Sequence, residues 1–114
     1  MSVAFNGFNE KTLTFKTAQT IDPGTPVSLA SNFTVEKAST GGAFIGIARS
    51  QRGDLVEVQL YGYVKSDYTS TAPTVGKVTL GANGSGGVKV VASGGTDCLV
   101  LNVNTTSSTV EYLI

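Results

Sequence analysis

Residues 41–64 hold two apolar runs separated by a polar, charged loop. In the second run Val56, Val58, Leu60, Gly62 and Val64 occupy alternate positions, and Leu55, Glu57, Gln59, Tyr61 and Tyr63 fill those between. Successive side chains of a strand point to opposite faces, so the first set is expected in a core and the second on a partly wet face. In the first run Phe44, Gly46 and Ala48 share one face and Ile45 and Ile47 the other, with Gly46 small enough for a close approach or a bulge. The two runs predict a β-hairpin whose charge, apart from Glu57, sits in its tip at residues 49–54.

The rest of the chain reads in the same idiom. No stretch carries an i, i+3, i+4, i+7 apolar stripe, so helices are not expected. Asp22-Pro23-Gly24-Thr25-Pro26 is a turn, because proline presets φ and glycine accepts positive φ. Val27-Ser28-Leu29 and Phe33-Thr34-Val35 follow as two short strands, and Ser39-Thr40-Gly41-Gly42 turns the chain into the hairpin. Residues 66–74 form a Ser/Thr-rich connector around Tyr68, with Ala72-Pro73 unsuited to strand pairing.

Beyond the connector the pattern returns. Gly76-Lys77-Val78-Thr79-Leu80 echoes Thr25-Pro26-Val27-Ser28-Leu29, Val88-Lys89-Val90 echoes Phe33-Thr34-Val35, and residues 98–114 echo the hairpin. The expected fold is therefore all-β: one domain over residues 22–114, built from related strand-strand-hairpin halves at about 22–65 and 75–114. Two curved sheets, each with one apolar face, bury those faces as a small barrel or sandwich. Residues 1–21 are expected as an extended arm bearing Phe5, Phe8, Leu13 and Phe15, three of the five phenylalanines among them. Thr12-Leu13-Thr14-Phe15-Lys16 alternates like a half-buried strand, either an edge strand of the same domain, the favoured reading, or a segment lying on a partner. For residues 2–9 the balance favours a partner, since Asn6-Gly7 and Asn9 interrupt any strand and terminal aromatics need a docking surface.

Composition narrows the function. A chain of 114 residues is one domain. Its formal net charge is zero and only 14% of residues are charged, against about 25% in soluble domains. That excludes the basic footprint of a nucleic-acid binder and favours packing against other protein surfaces. With no histidine there is no ordinary catalytic triad or zinc site, and the carboxylates are scattered; no catalytic, metal or cofactor residue is assigned. Glu57 and Glu111 occupy matching strand positions but fall on the presumed solvent face. Cys98, the one cysteine, lies in the apolar run Cys98-Leu99-Val100-Leu101 and reads as a small core residue. Arg52-Gly53-Asp54 matches the cell-attachment tripeptide, yet Gly-Asp is also what a hairpin turn requires. The Asn-x-Ser/Thr matches at Asn32, Asn83 and Asn104 carry little weight in so Ser/Thr-rich a chain, and the glycine-rich residues 83–87 precede a strand, where a phosphate loop precedes a helix. The opening residues have neither a basic nor an apolar leader region, and no apolar run approaches the ~18 residues of a membrane span. The expectation is a protein made in a cytoplasm, with no membrane partner.

Phe44-Ile45-Gly46-Ile47-Ala48 followed by Leu55-Val56-Glu57-Val58-Gln59-Leu60-Tyr61-Gly62-Tyr63-Val64, with the repeat and the aromatic arm, resembles the head decoration (capsid cement) proteins of tailed bacteriophages. The likeness covers roughly residues 20–114. It opens on Pro26-Val27-Ser28-Leu29, continues through Ile45-Gly46-Ile47-Ala48 and Val56-x-Val58-x-Leu60-x-Gly62, and begins again at Gly76-Lys77-Val78. Leu99-Val100-Leu101 departs from it by lacking the glycine present at Gly46. The resemblance implies a small barrel or sandwich of the β-tulip kind and a non-enzymatic virion protein on the outside of the capsid, made in the host cytoplasm. Its implied partners are the major capsid protein and further copies of itself as a trimer. It also implies attachment through the arm residues Phe5, Phe8, Leu13 and Phe15. The face of Tyr61, Tyr63 and, in the connector, Tyr68 is where a subunit contact is expected. The alternative is a receptor- or carbohydrate-binding β-module of a phage tail or cell surface, with the same three tyrosines as its platform.

Overall fold

A computed structural model describes residues 11–114. Among them there is no helix; the chain is all-β, in two five-stranded sheets. β1 (Lys11–Lys16), β2 (Pro26–Ser31), β3 (Thr34–Lys37), β4 (Gly46–Arg52) and β5 (Leu55–Tyr61) close into a barrel in the order β1-β3-β2-β4-β5, with β5 returning to β1. β6 (Tyr63–Asp67), β7 (Gly76–Ala82), β8 (Val88–Val90), β9 (Thr96–Asn104) and β10 (Thr109–Leu113) form the second sheet, ordered β6-β10-β9-β7-β8. Read as a cycle, the second order is the first with each strand replaced by its counterpart, β6 for β1 through β10 for β5. The seams match too. β1 meets β3 in parallel through the single pair Lys16–Thr34, and the end of β6 meets β8 in parallel through the bridge Tyr68–Val88.

Each unit thus has five strands, one more than the strand-strand-hairpin half expected from the pattern. The extra strands are β1 and β6. Residues 11–16, expected within an extended arm, pair along β5 from Lys11–Tyr61 to Lys16–Leu55. Their alternation explains it: Phe15 opposite Val56 faces the core, while Thr14 opposite Glu57 faces water. The next residues are not an arm either. Ile21 is buried, its N–H donates to Gln51 Oε1 (2.8 Å), and Gln51 Nε2 returns a bond to the Gln19 carbonyl (2.8 Å). Likewise the first residues of the expected connector, Ser66 and Asp67, complete β6, and Tyr68 is buried.

Both hairpins form. β4 and β5 join through Gly53-Asp54, with Gly53 at φ +62° in the first central position, where a bend matching strand twist needs a positive φ. β9 and β10 join through a longer turn in which Asn104 Oδ1 accepts the N–H groups of Thr106 and Ser107 (3.0 and 3.1 Å). Gly46 packs against β5 so closely that an added methyl would overlap the Gln59 carbonyl.

At Gly62, φ +107°, the chain leaves the barrel and enters the second sheet. Here the alternation fails at one residue. Gln59, expected on the wet face, is fully buried, and its Nε2 donates to the carbonyls of Tyr61 and Tyr63 on either side of the glycine (3.1 and 2.9 Å). The bend turns those two carbonyls away from the ladders, and a buried carbonyl needs a donor. Gln59 Oε1 itself has no partner among the described residues.

The cores differ in ownership. Ile21, Val27, Val35, Ala48, Val56 and Val58 fill the barrel, with Phe15, Ile45 and Leu60 packed beside them. The second core contains Val64, Leu80, Val88, Cys98, Val100, Val110 and Tyr112, and also Ala38, Phe44 and Ile47 from the first half. Residues 38–44, the β3–β4 connection, reach across: Thr40 bridges Ala82, and Gly41 N–H and Gly42 C=O bond the Ala82 backbone at 2.7 and 3.1 Å.

Candidate interaction surface

Three inward-facing pairs show where the first barrel stops. On β1, β2 and β5 these are Phe15 and Leu13, Val27 and Leu29, and Val58 and Leu60, the second member two residues along the same face in each case. β2 and β5 both run against β1, so stepping backward on β1 and forward on β2 and β5 leads toward one mouth of the barrel. Val27 and Val58 belong to the core, and the half-buried Phe15 packs against it. Leu13 and Leu29 are 57% and 54% exposed, and Leu60 is half-buried. At the end of β2 the turn Asn32-Phe33 stands on the same rim, and Phe33 is 79% exposed.

Phe33 is unusual twice over. Its backbone lies in the left-handed region at φ +53°, where a bulky side chain is strained. Its neighbours hold it there: the Phe33 carbonyl accepts Lys16 N–H (2.8 Å), and the Thr34 hydroxyl donates to the Asn32 carbonyl (3.0 Å). Residues pinned in sparse backbone regions cluster at functional surfaces.

The matching mouth of the second unit is filled. Val64 pairs with Tyr112 as Leu13 pairs with Val58, and Val78 pairs with Cys98 as Val27 pairs with Gly46, so Val64 and Leu80 answer Leu13 and Leu29. Both are fully buried, in one cluster with the ring of Phe44. The Phe44 backbone is tied in place: its N–H donates to Thr96 Oγ1 (3.0 Å), whose hydroxyl donates to the Phe44 carbonyl (2.8 Å).

The residues singled out from the sequence are dispersed. Phe5 and Phe8 lie outside the described residues. Leu13 is at the open mouth, and Phe15 points into the barrel. Tyr61 is exposed, Tyr63 half-buried, and Tyr68 part of the second core, so the three tyrosines do not form one face. Leu29 and Phe33 were legible only as strand residues. The one signal for Phe33 is Asn32 before it, a residue that favours turns.

A polar network lies across β6, β10 and β9. Glu111 accepts Tyr63 OH on one oxygen and Asn102 Nδ2 (2.6 Å) on the other. The Asn102 amide and then the Tyr63 hydroxyl hold the Glu111 carboxyl below its ordinary value, while burial and then Glu111 push the Tyr63 hydroxyl up to about 12. Tyr112 OH, bonded to Ser66 Oγ (3.0 Å), is likewise pushed up by burial. Cys98 is buried, and desolvation followed by the charge of Asp97 raises its thiol to about 12, which favours the protonated form at neutral pH. Among the described residues, no group of three His, Cys, Asp or Glu side chains is placed to hold a metal, and no helix is long and apolar enough to cross a membrane. Glu57 and Glu111 lie in different sheets. Arg52 and Asp54 are exposed at the hairpin tip. The chain matches no protein-family model, and no curated protein sequence is similar to it.

Proposed function

We propose that this is a structural virion protein that binds the outer surface of a phage capsid and stabilises the shell. The observation that carries the reading is the open mouth of the first barrel. Leu13, Leu29 and Phe33 expose apolar side chains toward that end of the barrel, on a chain with few charges to keep another protein surface away. The sequence resemblance to head decoration proteins supplies the partner class, the major capsid protein, and a trimer of this chain as the bound form. Weak contacts repeated over three subunits, and over many copies per shell, add through effective concentration. The work is mechanical, and no bond is made or broken.

Co-sedimentation of the purified protein with expanded and unexpanded capsids tests the reading. Binding to expanded shells, with a raised temperature of shell disruption, is the expected outcome; free protein in the supernatant at every concentration defeats it. Because β1 is part of the barrel, the arm is tested by removing residues 2–9 alone. The carbohydrate-binding alternative is weakened by its own residues: Tyr68 is in the core and the Tyr63 hydroxyl is engaged by Glu111, leaving Tyr61 as the open ring.

A further inference from the structure

The turn between β7 and β8 sets Asn83 beside Gly84, and the fold requires both residues. Gly84 lies at φ +82°, and a Cβ there would overlap the Thr40 hydroxyl, so no side chain fits. Asn83 holds the turn together. Its Oδ1 accepts the N–H groups of Ser85 (2.7 Å) and Gly87 (2.9 Å), and its own N–H donates to the Gly87 carbonyl (3.0 Å). Two donors meeting one atom fix the orientation of the carboxamide, with its oxygen toward the loop. Two neighbouring nitrogens are left free: among the described residues, neither Asn83 Nδ2 nor the Gly84 N–H has a hydrogen-bond partner. Gly84 is also exposed.

These atoms have the layout of an acyl-transfer site. The electrophile is Asn83 Cγ, whose oxygen is held by two backbone N–H groups that stabilise the negative charge it gains under attack. The nucleophile is the adjacent Gly84 nitrogen, tethered to the electrophile and unshielded by any Cβ. We propose that Asn83-Gly84 is a self-modification site, at which Gly84 N attacks Asn83 Cγ and closes a five-membered succinimide. The N–Cγ bond forms as the Cγ–Nδ2 bond breaks; Gly84 N loses its proton, Nδ2 gains one through solvent, and ammonia leaves. Water then opens the ring, at the side-chain carbonyl to give aspartate or at the main-chain carbonyl to give isoaspartate. The products differ in what they do to the fold. Aspartate keeps an oxygen where Oδ1 stands. Isoaspartate routes the backbone through the β-carbon, lengthens it by one methylene and turns that oxygen into a peptide carbonyl. The change falls next to Ala82, whose backbone is tied to Gly41 and Gly42 of the first half. Age is thus registered at the seam between the two units, and each event adds one negative charge to a chain of zero formal net charge.

The test is timed peptide mapping of the full-length protein in warm, mildly alkaline buffer. Its reference is the peptide Ala-Asn-Gly-Ser-Gly-Gly, blocked at both ends, which carries the sequence of residues 82–87 without the fold. Conversion at Asn83, read as a mass gain of about one dalton, is expected to be at least as fast in the folded protein as in the peptide. Slower conversion in the folded protein overturns the proposal, because the turn would then shield Asn83. Ser85→Pro removes one donor to Oδ1 and should slow conversion at least threefold; an unchanged rate overturns the part assigned to the donors. The comparison of wild type with peptide stands by itself should the proline disturb the turn. Once separated chromatographically, the isoaspartate form should melt below the wild type and exchange its Gly41 amide at least tenfold faster, while Asn83→Asp matches the wild type in both. An isoaspartate form that behaves like Asn83→Asp overturns the link to the seam.

Discussion

The two mouths of this molecule are built from corresponding strands, yet one is finished and the other is not. Around Val64 and Leu80 the apolar side chains are sealed by Phe44, a residue lent by the other half; around Leu13 and Leu29 they stand in water beside an exposed Phe33. The loan runs one way, since no residue of the second half belongs to the first core. A repeated order of strands therefore does not make equal halves. The half that receives the connecting segment becomes a closed core, and the half that gives it away keeps apolar side chains exposed at its mouth.

The sharpest way to break the comparison is Phe44→Ala. It should cost about 3–5 kcal/mol, the usual loss for a buried phenylalanine, read as a lower urea midpoint, and should expose the second mouth to a hydrophobic dye. Phe44→Ala within about 0.5 kcal/mol of the wild type would mean that the two mouths do not differ in the way described. Gln59→Leu comes next, at about 2 kcal/mol, because it strands the Tyr61 and Tyr63 carbonyls at the junction.

The third effect is one of pH and falls on the second half, where Tyr63, Cys98, Glu111 and Tyr112 all lie. Tyr63 and Cys98 hold their protons more tightly folded than unfolded, with values raised from 10.0 and 9.0 to about 12. Their contribution to stability is whole below the ordinary values and drains as pH rises through the folded ones. The melting temperature should fall from about pH 9 upward, less steeply in Tyr63→Phe. Glu111 has the opposite sign: its lowered value adds stability above the ordinary 4.5 that disappears on acidification, and as an exposed-face group it adds little. The smallest change is Phe33→Asn, which trades a strained bulky residue for one tolerant of positive φ. It should raise stability by a few tenths of a kcal/mol up to about 1. A fall in melting temperature would show that the Phe33 ring packs where it is described as exposed.

What the sequence reveals, and what it hides, divides along physical lines. Period-two alternation located the β4–β5 hairpin and sorted Val56 and Val58 from Leu55 and Glu57, because that signal is local. The likeness of Gly76-Lys77-Val78-Thr79-Leu80 to Thr25-Pro26-Val27-Ser28-Leu29 is legible for the same reason. The partners of residues 11–16 are not, since they lie on β5, far along the chain, and one alternating pattern serves a barrel strand and an arm equally. Gln59 misled because its burial follows from the bend at Gly62, which alternation does not encode. Of the surface residues, Leu13 is legible as an apolar residue needing cover, while Leu29 and Phe33 read only as strand residues; nothing local says that the barrel ends beneath them. Tyr61, Tyr63 and Tyr68 alternate less simply than they read, because Gly62 and the end of β6 part them.

The reach of residues 38–44 into the second half also couples the two units. All five strands of the first barrel lie before Gly62, so it can close with what is already synthesised, and its closing pairs, Lys16 with Leu55 and with Thr34, need nothing further. Phe44 is made before the strands that bury it, and its backbone finds its partner only in Thr96 of the second unit. The dependence runs both ways, since Ala38, Phe44 and Ile47 are covered only when the second unit is in place, and Thr96 holds the Phe44 backbone from there.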